Sequence, residues 1–266
     1  SANHGQSFLY WKDDRLYELP VTYFTAADRW MNSPGYPDGT ADFARPINAR
    51  CLECHSTYFE YVAGTENQFV PEMSILGVTC ERCHGPGRDH ASYHRDHPDD
   101  TEARHIVHPA LLSRKRLIEV CAQCHSGVGK ARLKPPFTYR PGENLAEFMI
   151  IDQHQAQQAG GVHTANQLGR LSMSRCFKES DDLTCVSCHD PHQNEHAKSP
   201  IFSDRCMKCH EMAQCGAAAA MGASAGDDCI SCHMPLRKDA KIRLKGPQED
   251  QLPLIRDHFI RIFPHT

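Results

Sequence analysis

The chain has 266 residues, with 29 Lys and Arg against 33 Asp and Glu, a formal charge of −4 at pH 7. No apolar run approaches the roughly 18 residues of a membrane span, and a mixed, mildly acidic charge without a Lys/Arg block argues against nucleic-acid binding. Fourteen cysteines and 18 histidines, beside only 40% apolar residues, imply that something other than aliphatic side chains fills the interior.

In chain order, Phe8-Leu-Tyr-Trp-Lys12, Asp13-Asp14 and Arg15-Leu-Tyr-Glu-Leu19 read as a short β-hairpin with an Asp-Asp turn. Residues 31–48, rich in Gly and Pro, read as a loop. Residues 1–48 thus make an N-terminal hairpin and loop arm ahead of a body over 49–266. Ala110–His125 predicts a helix, with its apolar positions leading towards His125. Glu143–Gln158 and Thr164–Lys178 are further predicted helices. The Ala217-Ala-Ala-Ala-Met221 run is another, opposed by Gly222 and Gly226. With no longer repeat and no clear linker, the chain reads as one domain over 1–266. Its predicted fold is mainly α with much coil, plus the small N-terminal β-hairpin.

Twelve of the cysteines fall into C-x-x-C pairs, and a histidine follows each pair directly. The first three are Cys51 and Cys54 with His55, Cys80 and Cys83 with His84, and Cys121 and Cys124 with His125. The last three are Cys185 and Cys188 with His189, Cys206 and Cys209 with His210, and Cys229 and Cys232 with His233. Two thiols at this spacing reach the two vinyl groups of one haem, and the adjacent imidazole sits under the iron. Zinc ribbons and disulfide frameworks demand no histidine after every pair. The sequence therefore predicts six covalent c-type haems, which must supply much of the buried apolar surface. Gly85-Pro-Gly87 and Asp190-Pro191 are breakers where the chain turns away from two of them. Thioethers are made outside the cytoplasm, so a periplasmic or extracellular location is expected. The chain starts at Ser1 and is read as a mature form whose signal peptide has been removed.

Six proximal histidines leave twelve others. His192 follows His189 by three residues, too short a tether to pass round the porphyrin, so it can ligate only a neighbouring haem. His90, six residues after His84 through the Gly-Pro-Gly turn, is under the same restriction. His94, His97 and His105 lie in a charged stretch that reads as a solvated loop. His108, His154, His163 and His196 stay undecided, and Met173 is an alternative thioether ligand or a packing residue. Cys176 and Cys215 stand outside the motifs, and in an oxidising compartment a disulfide between them is expected.

Several segments carry a resemblance. They are His4-Gly-Gln-Ser-Phe-Leu-Tyr10, Leu19-Pro-Val-Thr-Tyr-Phe24 and Gly77-Val-Thr-Cys-Glu-Arg-Cys-His-Gly-Pro-Gly-Arg-Asp-His90, then Ile106-Val-His-Pro-Ala110, Tyr139-Arg-Pro-Gly142 and Ser174-Arg-Cys-Phe177. Leu183-Thr-Cys-Val-Ser-Cys-His-Asp-Pro-His192, Asp228-Cys-Ile-Ser-Cys-His-Met-Pro235 and Asp257-His258-Phe-Ile-Arg261 complete the set. Together they resemble bacterial multihaem c-type cytochromes often fused to tetratricopeptide repeats. Those are related to the superfamily of hydroxylamine oxidoreductase, tetrahaem carriers and pentahaem nitrite reductase. The resemblance implies electron transfer through a stacked haem array, with His4, His90, His192 and His258 as distal ligands. No tetratricopeptide repeat occurs in these residues, nor does the C-x-x-C-K sequence of the nitrite reductases.

The function expected is one-electron transfer between redox partner proteins, or other copies of this chain, through mostly bis-histidine haems. Two alternatives stand beside it. One is a multihaem oxidoreductase with an open haem site for a small nitrogen or sulfur oxyanion. The other is a subunit of a homo-oligomeric extracellular cytochrome wire, with His4 ligating a haem of its neighbour.

Overall fold

The computed structural model describes residues 4–37, 39, 41–127, 130–152, 154, 157, 162–195, 199–218, 222, 226–239, 241–246 and 249–263. The predicted hairpin forms from β1 (Gln6–Lys12) and β2 (Arg15–Phe24), paired antiparallel down to Lys12 opposite Arg15. Asp13 takes the left-handed φ of 55° that the tight turn requires, a conformation short polar side chains tolerate. The sheet is larger than predicted. After Asp28, also left-handed at φ 50°, β3 (Arg29–Asn32) returns along β2, so the expected loop over 31–48 starts inside a strand.

Next come α1 (Ala49–His55), the hairpin β4 (Ser56–Tyr61) and β5 (Phe69–Leu76), α2 (Glu81–His84) and α3 (Arg88–Asp96). The helix predicted from Ala110 starts at Arg114, where Ser113 accepts Arg116 N–H at 3.5 Å, and runs as α4 (Arg114–His125). A short β6 (Lys130–Arg132) pairs antiparallel with β7 (Met149–Ile151). The helix predicted over Glu143–Gln158 is therefore corrected in its first half: Leu145–Glu147 makes one 3-10 turn and the β-branched Ile150 and Ile151 go into strand pairing, while the described His154 and Gln157 are helical. Ala219, Ala220 and Met221 of the predicted alanine-rich helix lie outside the described residues.

The helix predicted over Thr164–Lys178 is two, α5 (Gln167–Leu171) and α6 (Arg175–Glu179). The break falls at Ser174, whose hydroxyl donates to His258 O at 3.2 Å and accepts Ile260 N–H at 2.8 Å. The remaining elements are α7 (Ser199–Cys206), α8 (Cys229–His233), β8 (Leu236–Lys238) and β9 (Leu254–Arg256). Among the described residues the fold mixes short helices with one three-stranded and three two-stranded sheets, which corrects the expectation of a mainly α chain. The physical reason is local: α1, α2, α4 and α8 each stop at the histidine of their C-x-x-C-H sequence, and the β4–β5 and β6–β7 pairs take up chain between such sequences. No helix among the described residues is long and apolar enough to cross a membrane.

The buried apolar residues form separate, small clusters. Leu16, Ile47, Ala49, Leu52, Phe59, Phe69 and Phe137 make one, which ties the N-terminal sheet to α1 and the β4–β5 hairpin. Leu16 N–H to Asn67 O (3.1 Å) and Phe69 N–H to Asp14 O (2.9 Å) stitch the same boundary. Ala122, Tyr139, Leu145, Phe148 and Met149 make a second, and Phe24, Met31 and Leu244 a third.

Candidate haem centres

The first, second, third and sixth C-x-x-C-H sequences lie on short helices or helix ends, and the fourth starts on a 3-10 turn. Asn48 caps α1, accepting Cys51 N–H, and Asp228 caps α8, accepting Ser231 N–H at 3.2 Å. Thr184 and Ser187 cap each other around the fourth motif. Gly85, directly after His84, takes a φ of +80° that turns the chain away from the imidazole, a conformation closed to most L side chains.

The second variable residue of each of the first three motifs points inward, and these residues bind the motifs together. Arg82 Nη2 donates to Glu53 O at 2.7 Å. Gln123 Nε2 donates to Val120 O at 2.7 Å and to Arg82 O at 3.3 Å. Glu53 accepts Phe137 N–H at 2.7 Å and is paired with Arg132. Lys130 Nζ covers the end of α4, donating to Gln123 O at 2.8 Å. Nothing in motif spacing marked these positions.

The motif sulfurs touch in an order different from the sequence. The thiols of Cys54 and Cys124 hydrogen-bond each other. That contact draws Cys54 down to about 6 against the opposing effect of burial, helped by the charges of Lys130 and Arg82, and pushes Cys124 up. Cys121 is hydrogen-bonded to Cys185 and lies within electrostatic reach of Cys83. Cys188 feels Cys209, and Cys206 feels Cys229. The first motif therefore meets the third and the third meets the fourth, while the second lies within electrostatic reach of the third, the fifth of the fourth, and the sixth of the fifth. Burial is uneven within the motifs. Cys51, Cys80, Cys209 and Cys232 are exposed free thiols, while Cys54, Cys83, Cys206 and Cys229, their partners in each pair, are half-buried. In the sixth motif Cys229 is the half-buried cysteine, within electrostatic reach of Cys206, and Cys232, on the last turn of α8 beside His233, lies at the surface. The predicted disulfide between Cys176 and Cys215 is not formed, and both are free thiols. Cys176 lies instead within reach of Cys188, Cys206 and Cys209.

Two pairs of histidines face one another across a gap. His84 and His192 have ring centroids 6.1 Å apart with planes 20° from parallel, and His189 and His258 are 6.2 Å apart at 25°. Two metal–imidazole bonds of about 2 Å each, with the ring radii added, span about 6 Å, so one metal ion fits each gap. Among the described residues no group of three or more His, Cys, Asp or Glu converges as a zinc site would need. The tautomers agree with the fit. His84 Nδ1–H donates to Val107 O (2.9 Å), His125 Nδ1–H to Gln167 Oε1 (2.9 Å) and His233 Nδ1–H to Arg261 O (3.1 Å). Each leaves its Nε2 lone pair for a metal. Val107 N–H donates back to His84 O at 3.0 Å and Arg261 N–H to His233 O at 3.3 Å, so both motif histidines are held at two points. Beside His84 a cavity of about 250 Å³ is lined in part by Pro86, Ile106, Val107 and Arg140.

His258 is held hardest. Its Nδ1–H donates to Arg256 O at 3.0 Å, and desolvation by burial draws the imidazole down to about 4, the neutral form that binds metal. Its neighbour Asp257 takes two 2.8 Å bonds from the buried Arg170 guanidinium. Burial likewise lowers His189, whose ring meets Phe202 edge-on at 5.4 Å, and lowers His55. His210 is exposed.

The other predicted ligands stand as follows. His90 donates from Nδ1 to Arg104 O at 2.7 Å and keeps Nε2 available. His4 is half-buried, its carbonyl accepting Thr25 N–H at 3.2 Å. His94 commits Nε2 to Glu102 O at 3.1 Å, and His97 lies flat on Tyr93, centroids 4.3 Å apart. His163 accepts Ala165 N–H at Nδ1 (3.0 Å) and turns Nε2 to the buried Asp239 carboxylate. His196 lies outside the described residues.

Residues 32–85, which hold the first two motifs, match the family described as cytochrome c554 and c-prime. The fold is similar to that of the outer cell wall cytochrome OcwA, with a TM-score of 0.63 and 16% identity over 98% of this chain. The chain spans 66% of the length of that protein. An undecaheme cytochrome from the S-layer of Carboxydothermus ferrireducens is more distant, with a TM-score of 0.39 and 17% identity over 85% of this chain and 43% of that one. No curated protein matches the chain. The fold is thus one that the chain shares with a solved outer cell wall cytochrome.

Proposed function

We propose that the chain carries six c-type haems, one at each C-x-x-C-H sequence, and relays single electrons between redox partners outside the cytoplasm. The observation that carries this reading is the two facing imidazole pairs, His84 with His192 and His189 with His258. Each haem, when bound, supplies a one-electron ferric–ferrous couple.

The side chains of the protein do the rest. The twelve motif cysteines, from Cys51 to Cys232, would tether the groups, and the motif histidines would hold their iron. His192, facing His84, and His258, facing His189, would be second ligands of the second and fourth sites. His4 and His90 are the distal ligands proposed for two further sites. Because sulfurs of the first and third motifs are hydrogen-bonded, as are those of the third and fourth, groups tethered there would be close enough for electrons to pass. The chemistry of thioether formation places maturation outside the cytoplasm, and the similar OcwA is an outer cell wall protein.

Intact mass and pyridine haemochrome absorbance of the purified protein test this. Six haems, with predominantly low-spin ferric EPR signals, are the expected result. A mass equal to bare polypeptide, or an entirely high-spin spectrum, would overturn the reading.

A further inference from the structure

We infer that Gln167 is a positioning residue for His125 and sets the reduction potential of the third haem site. The inference rests on the haem reading of Cys121 and Cys124. His84 and His233 donate their Nδ1–H to backbone carbonyls, Val107 O and Arg261 O, which no substitution changes. His125 donates instead to a side chain, the Gln167 amide oxygen at 2.9 Å.

That amide is held in one orientation. Gln167 Nε2 donates to Thr164 O at 2.8 Å, so its oxygen is the end left facing His125. The supporting loop is fixed in turn. Thr164 N–H donates to Asp239 Oδ2 at 3.1 Å, and the fully buried Asp239 also accepts Lys241 N–H at 3.0 Å and Ile242 N–H at 3.3 Å. Just past His125, Gly127 N–H donates to Ala165 O at 2.6 Å and locks this loop to the end of α4.

The strength of the Nδ1–H···O bond decides how much electron density the opposite nitrogen offers a metal. A neutral amide gives an intermediate donor, a carboxylate a stronger one, and an apolar side chain none. A stronger donor favours the ferric state and lowers the potential. The position matters because the sulfurs of the third motif are hydrogen-bonded to those of the first and fourth and lie within electrostatic reach of the second. A shift at this junction alters the route to three neighbours.

The test is a spectroelectrochemical titration of the holoprotein with Gln167→Glu and Gln167→Leu. One of the six transitions is expected to move down in Gln167→Glu and up in Gln167→Leu, the other five staying in place. The same variants should alter one low-spin EPR signal. No movement in either variant, movement in the same direction in both, or a shift spread evenly over all six would overturn the assignment. Gln167→Glu decides alone if Gln167→Leu loses a haem, because it keeps the side-chain volume and strengthens the acceptor. Failure of the underlying reading looks different: the peptide containing Cys121 and Cys124 would carry no haem mass in the unmutated protein.

Discussion

His84 and His192 come from distant parts of the chain, yet their rings lie 6.1 Å apart and 20° from parallel. Asp190 lies 3.7 Å from Nδ1 of His192 and accepts the backbone N–H of the same residue at 3.0 Å, so Nε2 is the nitrogen turned to the gap. Replacing His192 by Ala is expected to leave six haems attached, since no thioether is touched, while converting one ferric centre from low to high spin in EPR. His94→Ala is the comparison, because the Nε2 of that ring is already used on Glu102 O. An unchanged spectrum in His192→Ala would remove His192 from the ligand set.

Arg170 and Asp257 make the buried ion pair that fixes the segment bearing His258, with side chains 8% and 3% exposed. Losing one partner of such a pair costs about 3–5 kcal/mol, because the other charge stays buried and unpaired. Asp257→Ala is therefore expected to lower denaturant stability by that amount and to release His258, with a high-spin signal appearing in the folded protein. The double substitution Arg170→Met with Asp257→Leu should recover most of the stability. Equal loss in single and double variants would argue against the pair as the cause.

How much of this is legible in the sequence depends on the range of the interaction. The six motifs are local and carry their chemistry in five residues. The three-residue tether between His189 and His192 already forbids a shared haem, and the structure sets His192 against His84. The β-hairpin is legible because Asp13 and Asp14 sit between two short stretches rich in aromatic and apolar residues, Phe8–Lys12 and Arg15–Leu19. By contrast, β6 and β7 are three residues each, too short for a period to register, and β7 was absorbed into a predicted helix. The break at Ser174 comes from His258 and Ile260, more than eighty residues away, and no nearby Gly or Pro announces it. Arg170 with Asp257, and Glu53 with Arg82 and Gln123, are equally silent. A polar residue between two motif cysteines looks the same whether it faces solvent or another motif.

Arg82 tests that last distinction. It is buried and bridges the first and second motifs through Glu53 O. Lys208 holds the same place within the fifth motif and is exposed. Arg82→Met is expected to cost about 1–3 kcal/mol in denaturant unfolding, the penalty for an unpaired buried acceptor. Lys208→Met should stay within about 0.5 kcal/mol of the unmutated protein. Similar effects at the two sites would mean that the inward polar contacts do not hold the motifs together.

Acid should loosen the clamp that Glu195 makes. Its carboxylate pairs with Arg205, which also donates to Cys188 O at 2.7 Å, and accepts Asp190 N–H at 3.1 Å, so the clamp encloses the end of the fourth motif. The hydrogen bond from Arg205, opposed by partial desolvation and helped by Asp190 N–H, lowers the carboxyl from 4.5 to about 2. A folded-state value below the unfolded one means that the clamp stabilises fully above the unfolded value. That contribution is lost as pH falls from about 4.5 towards about 2. The stability difference between the unmutated protein and Glu195→Gln should therefore be largest near neutrality and shrink across that acid window, as read by urea unfolding at stepped pH. A difference that stays constant down to the lower limit would show that the Glu195 charge is not what holds the segment.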